Sequence, residues 1–422
     1  MKKKYLFKIF FIIIWFLTFV FASFWGYENP EKVEILKSYF KKNISPKVNR
    51  ENNVYEKVIA NSFTVKFSKV VSLSEKTAFI VNDKNFSKFD ESLIKIYTQN
   101  GYVIDGLNPK KLKLPSSFTL QRNGGVKTVF FHNDKGFALI SSSKINCFYA
   151  SIVSLENGNE IFKTKCLPDA NKAAVDFNGL GSSYTHLNNK IYLSLGTPEQ
   201  QSMKIAILAQ DKNSMFGKII EIDTNDLEKL NLSQTNNLKL KIFTMGHRTP
   251  QGLTKVNNFI FNVEHGPKGG DELNKLIKDK NYGWPLVSYG TEYLYSNEGK
   301  SFKVNHENNN FEEPLFAFVP SIGISSLNVC PNKLRDYYNK SCLIALSLHG
   351  NSLMPGRSLI IFLLNESMNS VNSIEKIYLG EELRLRHFVT NSKNKLYEDE
   401  SGHIYVSADK IGIYKINFVK FR

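Results

Sequence analysis

The residues best suited to chemistry fall in one stretch, Gly246 to Tyr293, which reads GHRTPQGL, then a strand, then EHGPKGGDELNKLIKDKNYGWPLVSYGTEY. Within it, Glu264-His265-Gly266-Pro267 sets a φ-locked proline after a permissive glycine. Such a pair fixes a turn whose carbonyls point one way. Fixed carbonyls beside carboxylates such as Asp271 and Glu272 make the hard-oxygen environment that calcium prefers. The same residues also suit an ordinary glycine-rich turn with solvated acids, and residue type and spacing leave both readings open. Arginine usage is the second chemical signal. The chain has 47 Lys but only 8 Arg. A planar guanidinium grips a carboxylate bidentately where an ammonium cannot, so each retained arginine marks a possible carboxylate site.

These residues must be positioned by a scaffold, and from about Val54 onward the pattern of that scaffold is β. Short apolar segments such as KTVFF (127–131), FALIS (137–141), KIYLSL (190–195) and GHIYVS (402–407) alternate with Asn, Asp, Gly and Ser clusters. Strand, tight turn, strand at regular spacing signals a sandwich, barrel or propeller. Helical periodicity is weak, with Asn225–Leu232 the best exception. So long a run of meanders exceeds a simple sandwich, and one closed six-bladed β-propeller over 54–422 is the expected architecture. The 42% hydrophobic content and 13% aromatics exclude a disordered chain. The net charge of +16 implies a solvated Lys-rich surface or attraction to anionic lipid or polymer. Nucleic acid is not an expected partner, because no basic run is interleaved with aromatics.

The amino terminus addresses the compartment. MKKKYLFK precedes an uncharged run from Ile9 to Trp25, the pattern of an export signal whose positive end stays in the cytoplasm. Residues 1–26 read as an uncleaved membrane anchor or as a signal peptide cut after Ala22, and 27–53 as a polar stalk. Either way the large domain is expected outside the cytoplasm, inner-membrane-anchored and periplasmic, or released. Cys147, Cys166, Cys330 and Cys342 form two sequence-close pairs that an oxidising compartment would permit to bond. Buried free thiols fit the spacing as well.

The segments GHRTPQGL, EHGPKGGDELN and NYGWP, in this order, resemble the glucose/sorbosone dehydrogenase family. These are six-bladed propellers that use pyrroloquinoline quinone (PQQ) with calcium to oxidise aldoses. Weaker agreement runs from about Phe177 to Phe418, and 27–150 shows none. The resemblance implies that the Gly266 and Pro267 carbonyls hold a cofactor-bound calcium, with Asp271, Glu272 and the Tyr282 carbonyl near a structural one. It places Arg248, Gln251, Ser321, His349, Arg384 and Arg386 around PQQ, with Arg248 also stabilising charge in catalysis. Three of the eight arginines thus fall on family positions.

The pattern fails at the implied catalytic pair. The family uses a histidine base tuned by an aspartate. Here Asn178, or Phe177 with a one-residue slip, stands at the histidine position and Thr197 at the aspartate position. Neither can act as a general base near neutral pH. Ser182 replaces the family's arginine in that segment, and Thr249 follows Arg248 where asparagine is expected. His186, Glu199 and His387 are the candidate substitutes. The expected function is therefore an exported PQQ- and calcium-dependent aldose dehydrogenase-like oxidoreductase, its partners a sugar and an electron acceptor. The alternatives are a non-catalytic binding propeller derived from that family and a calcium-dependent hydrolase on the same scaffold. No second constellation supports the hydrolase.

Overall fold

The computed structural model describes residues 47–50, 56–83, 94–168, 174–200, 202–232, 238–291, 306–349 and 356–422. The apolar run Ile9–Trp25 lies outside them. Among the described residues, no helix is long and apolar enough to cross a membrane.

The chain opens with β1 (Val48–Arg50), β2 (Glu56–Ile59) and β3 (Thr64–Leu73). Five four-stranded antiparallel sheets follow, and a sixth sheet of six strands takes in β1, β2 and β3. The first blade holds β4 (Thr77–Val81), β5 (Lys95–Thr98), β6 (Tyr102–Asp105) and β7 (Asn108–Lys111). The second holds β8 (Val126–His132), β9 (Lys135–Lys144), β10 (Cys147–Ser154) and β11 (Glu160–Lys163). The third holds β12 (Tyr184–Leu187), β13 (Lys190–Leu195), β14 (Lys218–Asp223) and β15 (Lys241–Met245). The fourth holds β16 (Thr249–Val256), β17 (Phe259–His265), β18 (Asp271–Leu276) and β19 (Phe316–Phe318). The fifth holds β20 (Ile324–Val329), β21 (Cys342–Ser347), β22 (Ser358–Leu364) and β23 (Val371–Tyr378). The sixth joins β24 (Leu385–Phe388), β25 (Ile404–Ala408) and β26 (Gly412–Val419) to β3 from the other end of the chain. The β26–β3 ladder runs from Gly412↔Ser72 to Val419↔Thr64 and closes the ring, so the expected six-bladed propeller is the fold. Beside it, β1 pairs with β3 from within the stretch read as a polar stalk.

Burial explains the sequence pattern. Each blade is covered on both faces by its neighbours, so strands near the axis are continuously apolar rather than alternating. Thr77–Val81, Cys342–Ser347 and Ile404–Ala408 are buried at every position. The outermost strands face solvent, and Asn108–Lys111 is largely exposed with lysines that discourage edge pairing. Aromatics fill the wedges between blades. Tyr184 of the third blade packs 5.4 Å from Phe79 of the first and 6.0 Å from Phe130 of the second. Deleting such a ring costs about 3–5 kcal/mol. The HNDKG turn is a two-residue hairpin in which Asn133 and Asp134 both take positive φ, as its composition predicts. The segment with helical periodicity shortens to a helix over Thr224–Glu228, capped by the Asp223 side chain accepting from the Asn225 N–H. Both cysteine pairs, 147–166 and 330–342, are bonded.

Candidate functional site

Six innermost strands ring the central channel, and five carry the same irregularity near their starts. Register slips between Thr77 and Phe79, Val126 and Thr128, Pro250 and Gly252, Ser325 and Leu327, and Leu385 and Phe388. Such β-bulges re-aim side chains that would otherwise alternate across the sheet. The consequence is visible in the channel: Val126 with Lys127, and Arg386 with His387, are sequence neighbours that line one cavity. This cavity has a volume of about 250 Å³ and also takes in Lys76, Asn178, Gln251, His265 and Arg384. It lies just below the ~300–1,000 Å³ typical of small-molecule sites.

Its electrostatics are one-sided. Among the described residues, four cations, Lys76, Lys127, Arg384 and Arg386, line it and no carboxylate does. Behind them Asp409 accepts from Nε and Nη2 of Arg386 and lies 3.8 Å from Nε of Arg384. Burial alone would push the Asp409 carboxyl up, but Arg386, with Lys76 and Arg384, pulls it below the usual carboxylate range. His387 is neutral in the folded protein: burial, aided by the Arg386 charge, pushes its imidazole down to about 3. Its Nδ1 pairs with Thr77 Oγ1 at 2.8 Å, and Thr77 Oγ1 pairs with Ser407 Oγ at 2.9 Å. His265 Nε2 is buried without a hydrogen-bond partner, and burial lowers that imidazole too.

The other sequence-designated residues divide among neighbouring environments. Arg248 does not line this cavity; it borders a small hollow that shares His265 with it. Its Nη1 donates to the Gly266 carbonyl at 2.7 Å, its Nη2 pairs with Glu199 at 3.0 Å, and its guanidinium lies 5.1 Å over Trp284. Thr197 is fully buried, with both its N–H and Oγ1 donating to the Arg248 carbonyl. Asn178 is exposed at the cavity, its N–H donating to Asp176. Ser321 Oγ is buried without a partner, and His349 is exposed next to the cavity-lining Leu348.

The glycine-rich turn is as tight as its sequence implies. A Cβ on Gly266 would meet the Gly269 carbonyl at 2.2 Å and the Gly270 carbonyl at 2.3 Å. Asp271 spans this turn: one oxygen accepts from the Gly266 N–H and the other from the Ile322 and Ile324 N–H groups. Glu272 differs. It faces Glu264 directly across the β17–β18 ladder, and burial, reinforced by the Glu264 charge, pushes its carboxyl well above the usual range. Glu264 is engaged by His247 Nδ1, the Arg248 N–H and Asn274, whereas Glu272 has Asn274 at 3.2 Å and His306 Nε2 only at 3.8 Å. Both glutamates and Tyr282 border the small hollow. Among the described residues, no three His, Cys, Asp or Glu side chains converge to hold a metal, so a cation here would need backbone or water oxygens as well.

Of the three substitute bases, His387 alone lines the cationic cavity. Glu199 is committed to Arg248, and His186 lies at the far end of the channel in a larger cavity of about 700 Å³. Burial, with Lys393 nearby, pushes His186 down to about 4. That larger cavity balances Lys95, Lys135 and Lys393 against Asp83, Asp134 and Glu156, so it lacks the charge bias of the smaller one. Sequence reasoning missed Lys76, Thr77, Gln99, Lys127 and His265 as cavity residues. His265 stood inside the quoted motif; the two lysines had no signal among 47 of their kind.

Known proteins resemble this chain in sequence over part of its length and in fold over most of it. The chain is 30% identical over 145 residues to aldose sugar dehydrogenase YliI of Escherichia coli, which covers 32% of this chain and 36% of that protein. It is 33% identical over 105 residues to quinoprotein glucose dehydrogenase B of Acinetobacter calcoaceticus, covering 24% of this chain and 21% of that one. The chain thus matches about a third or less of the length of these curated relatives. The fold extends further. The apo-form structure of the soluble aldose sugar dehydrogenase from Escherichia coli superposes with a TM-score of 0.58 at 19% identity, covering 84% of this chain and 99% of that one. The sequence model of the Glucose / Sorbosone dehydrogenase family matches residues 148–410, well over half of the chain. The chain belongs to the glucose/sorbosone dehydrogenase family.

Proposed function

We propose that this protein is a quinoprotein-type aldose dehydrogenase that holds PQQ in the cationic cavity. The observation that carries the proposal is the lining: among the described residues, four cations and no carboxylate, with the buried His265 Nε2 unpartnered beside them. A planar tricarboxylate fits that donor set in charge. Arg386, already oriented by Asp409, and Arg384 would take cofactor carboxylates, with Gln251 reaching in from its bulge. Bound there, PQQ would supply the two-electron acceptor for oxidation of a sugar CH–OH group. Two imidazoles, His265 and His387, line the cavity, but burial lowers both, His387 to about 3, so neither is tuned to take a proton near neutral pH, and His387 Nδ1 is already held by Thr77. Calcium fits less uniformly. Asp271, the Gly266 carbonyl and Glu264 are engaged by protein donors, so Glu272, beside Tyr282 and facing Glu264, is the carboxylate that would meet a cation.

One observation favours the second reading, a binding propeller with little turnover. Thr197 is buried as a donor to the Arg248 carbonyl, and Asn178 accompanies it where the family pair would stand. We also propose that the domain is exported, tethered or released at its amino terminus, which the Lys-rich start before Ile9–Trp25 and the two bonded cysteine pairs support. Purified protein titrated with PQQ and calcium, followed by quinone absorbance and then by dye reduction with aldoses, tests the function. Folded protein that binds no PQQ would refute it, and binding without dye reduction would select the binding module. Protease protection of the large domain inside intact spheroplasts would refute export.

A further inference from the structure

We infer that Arg248 takes the cation position that the family resemblance gives to a cofactor-bound calcium: a guanidinium, built into the chain, sits on the Gly266 carbonyl in place of a metal ion. The inference rests on the proposed function only for what that charge serves, an anionic cofactor in the adjoining cavity. Arg248 is gripped at both ends by one segment. Thr197 donates its N–H and its Oγ1 to the Arg248 carbonyl at 2.7 and 3.1 Å. Two residues on, the buried Glu199 carboxylate pairs with Nη2 at 3.0 Å. Nη1 is thereby set to donate to the Gly266 carbonyl at 2.7 Å, with the guanidinium lying over Trp284. The departure from the family pattern gains a physical reason. An aspartate at 197 would set an acceptor against the Arg248 carbonyl, whereas threonine donates to it, and the carboxylate that holds the guanidinium stands at 199 instead.

The oxygens around Arg248 are committed in the same way. Both oxygens of Asp271 accept backbone N–H groups, from Gly266 at 3.2 Å and from Ile322 and Ile324 at 3.0 Å each. Glu264 accepts the Arg248 N–H at 3.0 Å. Calcium asks for about six to eight oxygens, and those nearest Gly266 are already taken by protein donors. The hollow that Arg248, Gly266, Glu264 and Glu272 border encloses about 10 Å³, the room of roughly one water. A hydrated ion at the Gly266 carbonyl does not fit there beside the guanidinium, and like charge repels it. A cation that meets Glu272 is therefore a separate one. Arginine suits the Gly266 position because its planar fork spans two acceptors at once. Its Nε, buried without a hydrogen-bond partner, keeps one more donor for a ligand.

The test is calorimetric titration of the full chain with calcium chloride in a Glu272→Gln background, which removes the other candidate carboxylate. With Arg248 present, no calcium should bind below millimolar concentrations. Arg248→Ala in that background should gain calcium binding at about 10⁻⁴–10⁻³ M, the weak end of calcium sites, because Glu199 and the Gly266 carbonyl then lack their cation. Its melting temperature should fall, and millimolar methylguanidinium should raise it again while leaving the parent protein unchanged. Calcium binding with Arg248 intact overturns the inference, as does an Arg248→Ala protein that responds to neither calcium nor methylguanidinium. Should Arg248→Ala fail to fold, the Glu272→Gln titration alone decides. PQQ titration of Glu272→Gln separates the inference from the proposed function. Equal dissociation constants in chelator and in millimolar calcium support both, and a calcium requirement of about tenfold or more overturns the role of Arg248. No PQQ binding in either condition refutes the proposed function, and the calcium and methylguanidinium titrations still judge Arg248.

Discussion

Replacing Arg386 with lysine preserves charge and removes geometry, which makes it a sharp test of the cationic cavity. The Arg386 guanidinium reaches both oxygens of Asp409 through Nε and Nη2, with the aspartate side chain 3% exposed and the arginine 18%. A lysine ammonium cannot reproduce that planar fork. Losing one buried charge-assisted bond costs about 1.5–3 kcal/mol. If the fork orients the remaining guanidinium donors toward a ligand carboxylate, PQQ binding should weaken ~10–150-fold. Arg384 is the comparison, because it too would take a cofactor carboxylate but has no buried fork to Asp409. It is 40% exposed and stands 3.8 Å from Asp409, so its pairing is screened by solvent and worth about 0–1 kcal/mol. Arg384→Lys should therefore cost no more than about fivefold by loss of that pairing. Fluorescence or absorbance titration with PQQ gives both dissociation constants, and melting curves establish that both variants fold. Equal losses, or a larger loss at 384 than at 386, would refute the assignment of the buried fork as the organising contact.

Three further outcomes follow from the geometry. In chelator, the raised Glu272 carboxyl favours its protonated form, so this site's contribution to stability is full below the ordinary carboxyl value of 4.5 and declines as pH rises toward the higher folded value. Calcium at a hundredfold excess over its Kd should return about 2.7 kcal/mol. Glu272→Gln should raise the melting temperature in chelator at pH 7 and abolish the calcium response; a wild-type melting temperature indifferent to calcium up to millimolar levels would count against the site. Asn178→His alone should be tolerated, because the side chain is exposed at the cavity. Thr197→Asp should instead lower stability by about 1–3 kcal/mol, because a buried acceptor would then face the Arg248 carbonyl that Thr197 now donates to. Denaturant melts of the two variants decide this. Finally, His387 should contribute stability that is full above its unfolded value of 6.5 and lost as pH falls toward about 3. A pH-dependent melting series should show a smaller acid loss in His387→Gln, and an unchanged slope would refute its burial as a neutral imidazole.

The strand and turn pattern makes the propeller legible in the sequence, because blades buried on both faces force continuous apolar runs between tight polar turns. The motif around Glu264 to Tyr282 was legible for a related reason. A turn in which any Cβ on Gly266 would overlap the Gly269 and Gly270 carbonyls tolerates few other sequences. Arg384 and Arg386 stood out because arginine is scarce in this chain, and the structure brings both to the cavity.

What tertiary structure alone decided was partnership. Asp271 and Glu272 are adjacent acids in the sequence, yet one is consumed by backbone N–H groups and the other is left facing a second glutamate. Adjacent residues on a strand point to opposite faces, and only the packing of blades says what each face meets. Arg248 and Gln251 are three residues apart, but the bulge between Pro250 and Gly252 sends Gln251 into the cavity while Arg248 is held by Glu199 and Gly266. Lys76 and Lys127 could not be read at all, since nothing in their type separates them from the solvated lysines. Their place depends on ring closure by β3 and β26, which brings the first blade beside the sixth. Composition fixed what the chain could build, and long-range pairing fixed which charges share one cavity.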